Sequence, residues 1–290
     1  MRVAAVDLGT NTTRLLVADV DDGRVDEIHR ESHITRLGEG VDARRRLLPV
    51  PIARVRNVLS DYRRTLESLG AERTLAVATS AVREADNGEA FLGEVEWSYG
   101  FATRLLSGDE EAELTRRGVN PAPGTLVLDI GGGSTELVLD DVQVSLQMGS
   151  VRFTERYGHD VPRLGAEATV LLPNLSPESA IGVAGTVTQL AALDTEDVDR
   201  HRLSRARARE QLQRLAGMSV DERRELPRME PERAPVIVAG AAILVAVLDA
   251  YDLDEIEVSV RDLLDGAALA AAELPAPIEG DAPPGAYTCC

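Results

Sequence analysis

Three consecutive glycines between two apolar segments are the feature that most constrains the fold of this chain. Residues 126–130 and 135–139 are rich in valine, leucine and isoleucine, and the glycines occupy 131–133. The pattern predicts a strand, a tight turn and a second strand. Glycine adopts backbone conformations closed to other residues, so the N–H groups of such a turn can approach an anion closely. Ser134 and Thr135 add hydroxyl donors beside the turn.

Two carboxylates flank this turn. Asp129 ends the first predicted strand and Glu136 begins the second. Carboxylate oxygens are the ligands that hard cations prefer. The segment therefore predicts a site for a phosphate group with Mg²⁺, or alternatively with Mn²⁺. Taken alone, a glycine turn between strands is also typical of a plain hairpin, so that alternative stays open for this segment.

The same pattern recurs near the N-terminus. Residues 3–17 run from an apolar strand through Asp7, Gly9 and the polar residues at 10–12 into a second apolar strand. Two such segments in one chain suggest duplicated halves, and we expect these halves to face each other across a cleft. Neither segment is the lysine-containing nucleotide loop, since the chain has no lysine.

Composition and charge exclude several classes of protein. The formal net charge of −18 argues against a general surface for DNA or for an anionic membrane. No apolar run reaches the length of about 18 residues that a membrane span needs, and the first residues lack the features of a signal peptide. The only two cysteines stand together at 289–290 and staple no fold. We therefore expect a cytoplasmic protein that binds neither DNA nor membranes.

The length of 290 residues and one linker suggest two domains. The segment 120–124 is rich in proline and glycine, which is typical of a domain boundary. We predict an N-terminal domain over 1–118, a C-terminal domain over 119–274 and a disordered tail over 275–290. Apolar spacing predicts a helix at 51–69. The last helix of the C-terminal domain is a candidate to pack back on the first domain.

Two segments place candidate side chains where a strand ends. Arg83 follows a predicted buried strand at 74–79, and a strand end is where α/β sheets place ligand contacts. Arg83 is therefore a candidate clamp for phosphate, with a surface arginine as the alternative. Asp109, Glu110 and Glu111 open a helix after another predicted strand. Acidic residues in a first turn also suit the helix dipole and the N-terminal cap, so composition does not select a catalytic residue among them.

The rest of the chain carries weaker signals. Arg152 stands at the start of a predicted helix and is a second candidate ligand for an anion. Residues 195–234 are polar with helical spacing, and the nearly apolar segment 235–250 predicts a buried helix. The basic run at 44–46 is read as a solvated loop, with a contact to a polyanion as the alternative. The histidines fall in no spacing typical of a zinc site.

Four motifs, in chain order, carry a resemblance to a known family. They are Asp-Leu-Gly-Thr-Asn-Thr at 7–12, Thr-Ser-Ala-Val-Arg at 79–83, Ser-Gly-Asp-Glu-Glu-Ala at 107–112 and Asp-Ile-Gly-Gly-Gly-Ser-Thr-Glu at 129–136. In these motifs the chain resembles the exopolyphosphatase and guanosine pentaphosphate phosphohydrolase family (Ppx/GppA) of the actin-like ATPase superfamily. The last two motifs together are specific to the family, whereas the glycine turn is shared across the superfamily.

The resemblance implies a fold and an activity. The fold is α/β, with two actin-like (ribonuclease H-like) domains whose mixed five-stranded sheets flank a central cleft. The activity is Mg²⁺-dependent hydrolysis of a terminal phosphoanhydride bond. It releases the terminal orthophosphate of inorganic polyphosphate, the 5′-phosphate of guanosine pentaphosphate, or both. Enzymes with this activity act in phosphate metabolism and in the stringent response. Related enzymes are often dimers, so we expect a homodimer.

The resemblance also implies roles for individual residues. Glu111 and Glu136 are expected to be catalytic. Asp129, Glu136 and Asp7 are expected to bind the metal. The expected substrate-binding residues are Thr10, Asn11, Thr12, Arg83, Gly131, Gly132, Gly133, Ser134 and Thr135.

Two other functions stay open. A sugar or acyl kinase of the same superfamily would need ATP and a pocket for an acceptor. A nucleotide-binding regulatory ATPase module would bind a partner without using Glu111. Phosphate release without an acceptor separates the hydrolase from both alternatives.

Overall fold

The computed structural model describes residues 1–275, and the chain divides into two compact units. Within the described residues, the first unit comprises Met1–Gly118 together with 263–275, and the second unit is Val119–Asp262. The predicted disordered tail, apart from its first residue, and both cysteines lie outside the described residues. No helix among the described residues is long and apolar enough to cross a membrane.

Strands and helices alternate along most of the chain. In chain order the strands are β1 (Arg2–Leu8), β2 (Thr12–Asp21), β3 (Arg24–Ile34), β4 (Arg73–Ala78), β5 (Ala102–Leu105), β6 (Thr125–Ile130), β7 (Thr135–Leu139), β8 (Val142–Leu146), β9 (Ser179–Val183), β10 (Arg202–Ser204) and β11 (Glu255–Val258). The helices are α1 (Val41–Arg44), α2 (Pro49–Leu69), α3 (Ser80–Arg83), α4 (Gly88–Tyr99), α5 (Gly108–Val119), α6 (Ser150–Tyr157), α7 (Val161–Leu171), α8 (Ala184–Ala192), α9 (Arg205–Ala216), α10 (Val220–Arg224), α11 (Ile237–Ala250) and α12 (Leu263–Glu273).

The first unit is built on a five-stranded mixed sheet with the order β3-β2-β1-β4-β5. Strands β1, β4 and β5 run parallel, and β2 and β3 are antiparallel to their neighbours. Helices cover both faces of this sheet. Successive side chains on a strand point to opposite faces, so alternate residues of one strand contact different helices. On β1, Ala4 and Val6 pack with residues of α2 and α4, whereas Val3 and Ala5 pack with residues of α12.

Helix α2 confirms the helix predicted at 51–69, and local sequence explains both of its ends. Pro49 occupies the first turn, where its missing N–H costs no helical hydrogen bond. Gly70 ends the helix in the left-handed conformation, with φ of 74°, and donates its N–H to the carbonyls of Leu66 and Glu67.

The second unit holds a six-stranded mixed sheet with the order β10-β11-β9-β6-β7-β8. The predicted α/β class with two mixed sheets is confirmed, and this sheet has one strand more than expected. The extra strand is β10, at 202–204, where the sequence predicted a helix, and there the prediction was wrong. Leu203 is fully buried and pairs with Ile256 of β11. Three residues are too few to show a strand period, and their pairing partner is distant in sequence.

The core of the second unit is centred on α11. Each residue from Ile237 to Leu248 is buried, which confirms the buried helix predicted at 235–250. The helix packs against α6, α7, α8 and α9. A helix that is apolar on all sides is stable only when neighbours cover every side, so α11 holds the layers of this unit together.

The final helix, α12, packs on β1, β2 and β4 of the first unit. Gly266 lies in this helix, and a Cβ atom built on it would stand 1.8 Å from the carbonyl oxygen of Leu114 in α5. Backbone cannot yield as a flexible side chain can. Any side chain at this position would therefore force α5 and α12 apart.

Substitution of Gly266 tests this packing. We expect Gly266→Ala to lower the free energy of unfolding by about 1–3 kcal/mol, the usual range for overpacking a core. Gly165→Ala is the matched control, because Gly165 also lies in a helix but a Cβ there meets nothing within 4 Å. The control should gain up to about 1 kcal/mol from its better helix propensity. Urea unfolding of both variants measures the two effects, and equal effects would contradict the packing described here.

Candidate active site

Three segments of the first unit meet at one edge of its sheet. Strands β1, β4 and β5 are parallel and in register, with Asp7 beside Val77 and Ala78 beside Leu105. Their carboxyl ends therefore lie at the same edge, where α/β folds bind ligands. The chain continues from these ends into the turn at 9–12, the helix α3 and the start of α5.

The turn at 9–12 is closed by a hydrogen bond from the Gly9 N–H to the Thr12 carbonyl, 3.1 Å long. A second segment supports it from one side. The Thr10 carbonyl accepts the Gly38 N–H at 2.8 Å, and the Asn11 carbonyl accepts the Thr35 N–H at 3.0 Å. Thr10 and Asn11 are both buried. Secondary and tertiary contacts thus fix the first predicted phosphate turn.

Arg83 and Glu111 lie together at this edge. The Arg83 guanidinium donates to the Leu106 carbonyl at 2.6 Å and to Glu111 Oε2 at 3.2 Å. The Glu111 side chain is 8% exposed and the Arg83 side chain 22%. The structure therefore brings the predicted phosphate clamp and the predicted catalytic carboxylate into direct contact. Arg83 is not an isolated surface arginine.

The N-terminal cap of α5 is formed by the neighbour of Glu111. Glu110 accepts the Ser107 N–H at 2.9 Å, and the Ser107 hydroxyl accepts the Glu110 N–H at 3.2 Å. This reciprocal pair is a capping box. It holds the pKa of Glu110 below its ordinary value of 4.5, and the guanidinium of Arg104 lowers that pKa further. The capping alternative therefore applies to Glu110, while the Glu111 carboxylate points elsewhere.

Asp7 forms a buried ion pair. The Arg14 guanidinium donates through Nε at 3.0 Å and through a terminal nitrogen at 2.8 Å, both to Asp7 Oδ2. The Asp7 and Arg14 side chains are only 6% and 16% exposed. Because the two residues stand directly opposite each other on β1 and β2, strand register enforces the pair. The charge of Asp7 is thus largely balanced within the protein.

The corresponding position in the second unit holds two carboxylates. Asp129 on β6 and Glu136 on β7 are direct cross-strand partners, which places their Cβ atoms about 4.5–5.5 Å apart. They are 6% and 1% exposed. The Ser145 hydroxyl donates to Glu136 Oε1 at 2.7 Å. Two buried like charges at this distance repel each other, so positive charge beside them stabilises the pair.

The glycine turn at 131–133 has the same closure as the first turn. The Gly131 N–H donates to the Ser134 carbonyl at 3.0 Å. Its other side rests on the first turn of α6, where the Ser150 N–H donates to the Gly131 carbonyl at 2.9 Å and the Val151 N–H to the Gly132 carbonyl at 2.8 Å. Gly149 permits this approach, since a Cβ there would lie 2.4 Å from the Gly132 oxygen.

The carbonyl directions determine where the amides of the turn point. In a trans peptide the C=O of one residue and the N–H of the next are antiparallel, and the described chain contains no cis peptide. The carbonyls of residues 131–133 all face α6. The N–H groups of Gly132, Gly133 and Ser134 therefore point away from α6. Successive N–H groups on one side of a turn can make a concave site for an anion.

The residues fit Mg²⁺ better than a metal held entirely by protein. Among residues 1–275, no group of three or more His, Cys, Asp or Glu side chains is placed to hold a metal ion. Mg²⁺ commonly takes one or two carboxylates and completes its shell with water and phosphate oxygens. Asp129 and Glu136 beside a phosphate turn supply that donor set. The prediction that Asp7 binds metal stays a prediction.

Two side chains at the glycine turn have structural partners. The Thr135 hydroxyl donates to the Met148 carbonyl at 2.5 Å, and Thr135 is fully buried. The Arg152 Nε donates to the Gly133 carbonyl at 2.6 Å. Arg152, a candidate anion ligand in the sequence, thus contacts the turn itself. Thr10, Asn11, Thr12 and Ser134 are placed in or beside the two turns, as predicted.

Arg233 is a further cation that sequence reasoning missed. Its guanidinium lies against Gly185, 2.0 Å from where a Cβ would stand, and its Nε is paired with Glu230. Gly185 opens α8, which follows β9, and β9 is parallel to β6 with Val183 beside Asp129. Arg233 thus lies at the same edge of the sheet as the glycine turn. Its partner Gly185 is distant in sequence, so no local pattern could indicate this contact.

These features define the class first: an α/β protein with two mixed sheets, each with a glycine-containing turn that follows one of its strands. A family model described as the Ppx/GppA phosphatase family matches residues 16–171 and 166–272. The chain belongs to the Ppx/GppA phosphatase family. Membership confirms the family predicted from the motifs and the predicted class of enzyme, a hydrolase that acts on phosphoanhydride bonds.

Relatives match along nearly the whole chain. Exopolyphosphatase 2 of Mycobacterium tuberculosis is 38% identical over 314 residues, which cover 93% of this chain and 98% of that protein. The bifunctional 3-dehydroquinate synthase/phosphatase of Fusobacterium nucleatum is 30% identical over 93% of this chain and 46% of its own length. Among solved structures, an exopolyphosphatase-like protein has a TM-score of 0.85 at 31% identity, covering 93% of this chain and 97% of that one. The Aquifex aeolicus member of the Ppx/GppA family has a TM-score of 0.77 at 28% identity, with 94% and 98% covered.

The capping box yields a prediction about pH. A pKa lowered on folding stabilises the native state above the ordinary pKa, and that stabilisation is lost as the pH falls toward the folded pKa. We expect Glu110→Gln to be less stable than the wild type at pH 7, and the difference to shrink below pH 4.5. Denaturant unfolding at pH 7 and near pH 4 measures it. A stability difference that does not change with pH would show that the carboxylate charge of Glu110 has no part in the cap.

Proposed function

We propose that this protein is an exopolyphosphatase that hydrolyses the terminal phosphoanhydride of inorganic polyphosphate with the help of Mg²⁺. The observation that carries the proposal is the buried pair Asp129 and Glu136 beside three glycine-turn amides that point away from α6. The similarity to Exopolyphosphatase 2 supports the choice of substrate, since it spans 93% of this chain and 98% of that protein.

Asp129 and Glu136 would hold the cation. When bound, Mg²⁺ would neutralise charge on the phosphate oxygens and on the leaving group. A cation bound there would also reduce the repulsion between the acidic pair and a polyanionic substrate, so we expect substrate binding to depend on the metal. Ser145 keeps the Glu136 carboxylate oriented by donating to Oε1.

The terminal phosphate would be held by backbone and by arginine. The N–H groups of Gly132, Gly133 and Ser134 supply fixed donors that need no rearrangement during the reaction. Arg83 supplies a guanidinium, which can form bidentate hydrogen bonds with two phosphate oxygens. The N-terminal turn at 9–12 is proposed as the second phosphate loop, through Thr10, Asn11 and Thr12.

Glu111 would orient the attacking water and accept its proton. The water oxygen bonds to the terminal phosphorus while the bridging P–O bond breaks. The shortened polyphosphate leaves with the electron pair of that bond, and orthophosphate is released. Burial of Glu111 and its contact with Arg83 hold the carboxylate in place for this step. Phosphoryl transfer depends mainly on positioning and charge stabilisation, which these groups provide.

Guanosine pentaphosphate is the second substrate we propose to test. Its 5′ end carries the same terminal phosphoanhydride, so the same donors can hold it. Comparing the rates of phosphate release from polyphosphate and from guanosine pentaphosphate measures the preference. ATP with and without an acceptor belongs in the same assay, because phosphate transfer to an acceptor would indicate a kinase instead.

Metal removal tests the role of the acidic pair. Protein dialysed against EDTA should release almost no orthophosphate, and added Mg²⁺ or Mn²⁺ should restore the rate. Asp129→Asn and Glu136→Gln should each raise the Mn²⁺ concentration needed for half-saturation, which electron paramagnetic resonance of Mn²⁺ measures without turnover. Asp7→Asn is the matched comparison, since Arg14 already pairs with Asp7. Full activity in EDTA, or Mn²⁺ binding unchanged by both acidic variants, would rule out this metal site.

Glu111→Gln tests the proposed base. The variant keeps the size of the side chain and removes its capacity to accept a proton, so kcat should fall by about 10²-fold or more. KM should change little, because the phosphate donors remain. Glu110→Gln is the control one residue away, and its kcat should stay near that of the wild type. Near-normal kcat in folded Glu111→Gln protein would mean that Glu111 only pairs with Arg83.

A further inference from the structure

Arg152 is a buried cation at the base of the glycine turn. The residue is 6% exposed, and it lies in the first turn of α6. Its Nε donates to the Gly133 carbonyl at 2.6 Å. A hydrogen bond from a charged donor is shorter and stronger than a neutral one. The buried Arg152 guanidinium therefore stabilises the turn through a charged hydrogen bond as well as through packing.

The three carbonyls of the turn are held by different means. Backbone N–H groups of α6 hold the Gly131 and Gly132 carbonyls, through Ser150 and Val151. Any residue with an N–H can supply those two bonds. The Gly133 carbonyl is held by the Arg152 side chain, so this part of the turn depends on which amino acid occupies position 152.

The Gly133 carbonyl belongs to the same peptide as the Ser134 N–H. Because the peptide is planar and trans, fixing the carbonyl direction also fixes the N–H direction. A charged donor on the carbonyl polarises the peptide as well, which makes the opposite N–H a better donor. The contact to Arg152 thus acts through the backbone on the amide that faces away from α6.

We propose that Arg152 is a positioning residue that aims and strengthens the Ser134 N–H toward the substrate phosphate. The proposal rests on the function proposed above. It differs from the sequence hypothesis that Arg152 binds the anion itself, because the relevant atom is Nε and its target is a backbone carbonyl. Loss of this contact would turn the Ser134 N–H away from the phosphate.

Three substitutions separate the two roles. Glutamine carries an N–H donor the same number of bonds from Cα as arginine Nε, and it carries no charge. Methionine has a carbon atom at that position and no donor. Lysine keeps the charge and places its donor one atom further out. If Arg152 acts through Nε, the glutamine variant should retain more activity than the lysine and methionine variants. If it acts through its charge, the lysine variant should retain the most activity.

The experiment compares Arg152→Gln, Arg152→Lys and Arg152→Met with the wild type, using tripolyphosphate at saturating Mg²⁺. We expect Arg152→Gln to retain kcat within about threefold. Arg152→Met should lose about tenfold or more in kcat/KM, as expected when one preorganised donor is misaligned. Arg163→Met is the charge control, because Arg163 is exposed on α7 and stacks on Tyr157, and it should match the wild type.

Three outcomes would overturn the proposal. If Arg152→Lys retains activity while Arg152→Gln and Arg152→Met both raise KM, Arg152 binds the anion directly. Lower Tm with unchanged kcat in all three variants would make it a packing residue only. Equal loss in Arg152→Gln and Arg152→Met would exclude the Nε contact. If Arg152→Met does not fold, the order of glutamine and lysine decides. A wild-type protein that releases no phosphate would instead refute the proposed function.

Discussion

The hydrogen bond from the Gly131 N–H to the Ser134 carbonyl closes the turn on which the candidate site depends. It joins β6 and β7 in the register that sets Asp129 opposite Glu136. A slip of one residue would carry Glu136 to the other face of the sheet, because side chains alternate along a strand. The same closure sends three carbonyls toward α6 and three N–H groups away from it. One backbone contact thus couples the acidic pair to the amides that would hold phosphate.

The two units share this turn and differ in the charge beside it. In each, a glycine N–H donates to a carbonyl three residues on, and an aspartate is the second-to-last residue of the preceding strand. The residue opposite that aspartate is Arg14 in the first unit and Glu136 in the second. An aspartate paired with arginine is already balanced, whereas two facing carboxylates repel each other. This difference in charge supports the proposal that the cation binds in the second unit.

Neighbouring residues on α5 show how burial separates similar side chains. Glu110 and Glu111 are both glutamates in one first turn, but successive helical residues point about 100° apart. Glu110 turns back to the start of the helix and caps it, while Glu111 turns inward to Arg83. Capping needs an exposed carboxylate near the N-terminal amides. Proton transfer needs one held near the reacting atoms, which is the position that a buried contact can fix.

Sequence alone determined the elements whose signal is local. The glycine turn, the acids at 129 and 136, the helix α2 with its proline start and glycine end, and the apolar α11 all follow from period, turn chemistry and composition. The family followed from motifs that are likewise short and contiguous. Each of these features depends on residues that are close in the chain, so a pattern of a few residues is enough to reveal it.

Tertiary structure decided what depends on distant pairing. It made β10 a strand, because Leu203 pairs with Ile256 rather than continuing a helix. It brought Arg233 against Gly185 and placed the Arg152 guanidinium on the Gly133 carbonyl. A sequence pattern states which face of an element is apolar, but not which partner covers that face. Contacts between remote segments are chosen by packing of the whole unit, and only the folded chain reveals them.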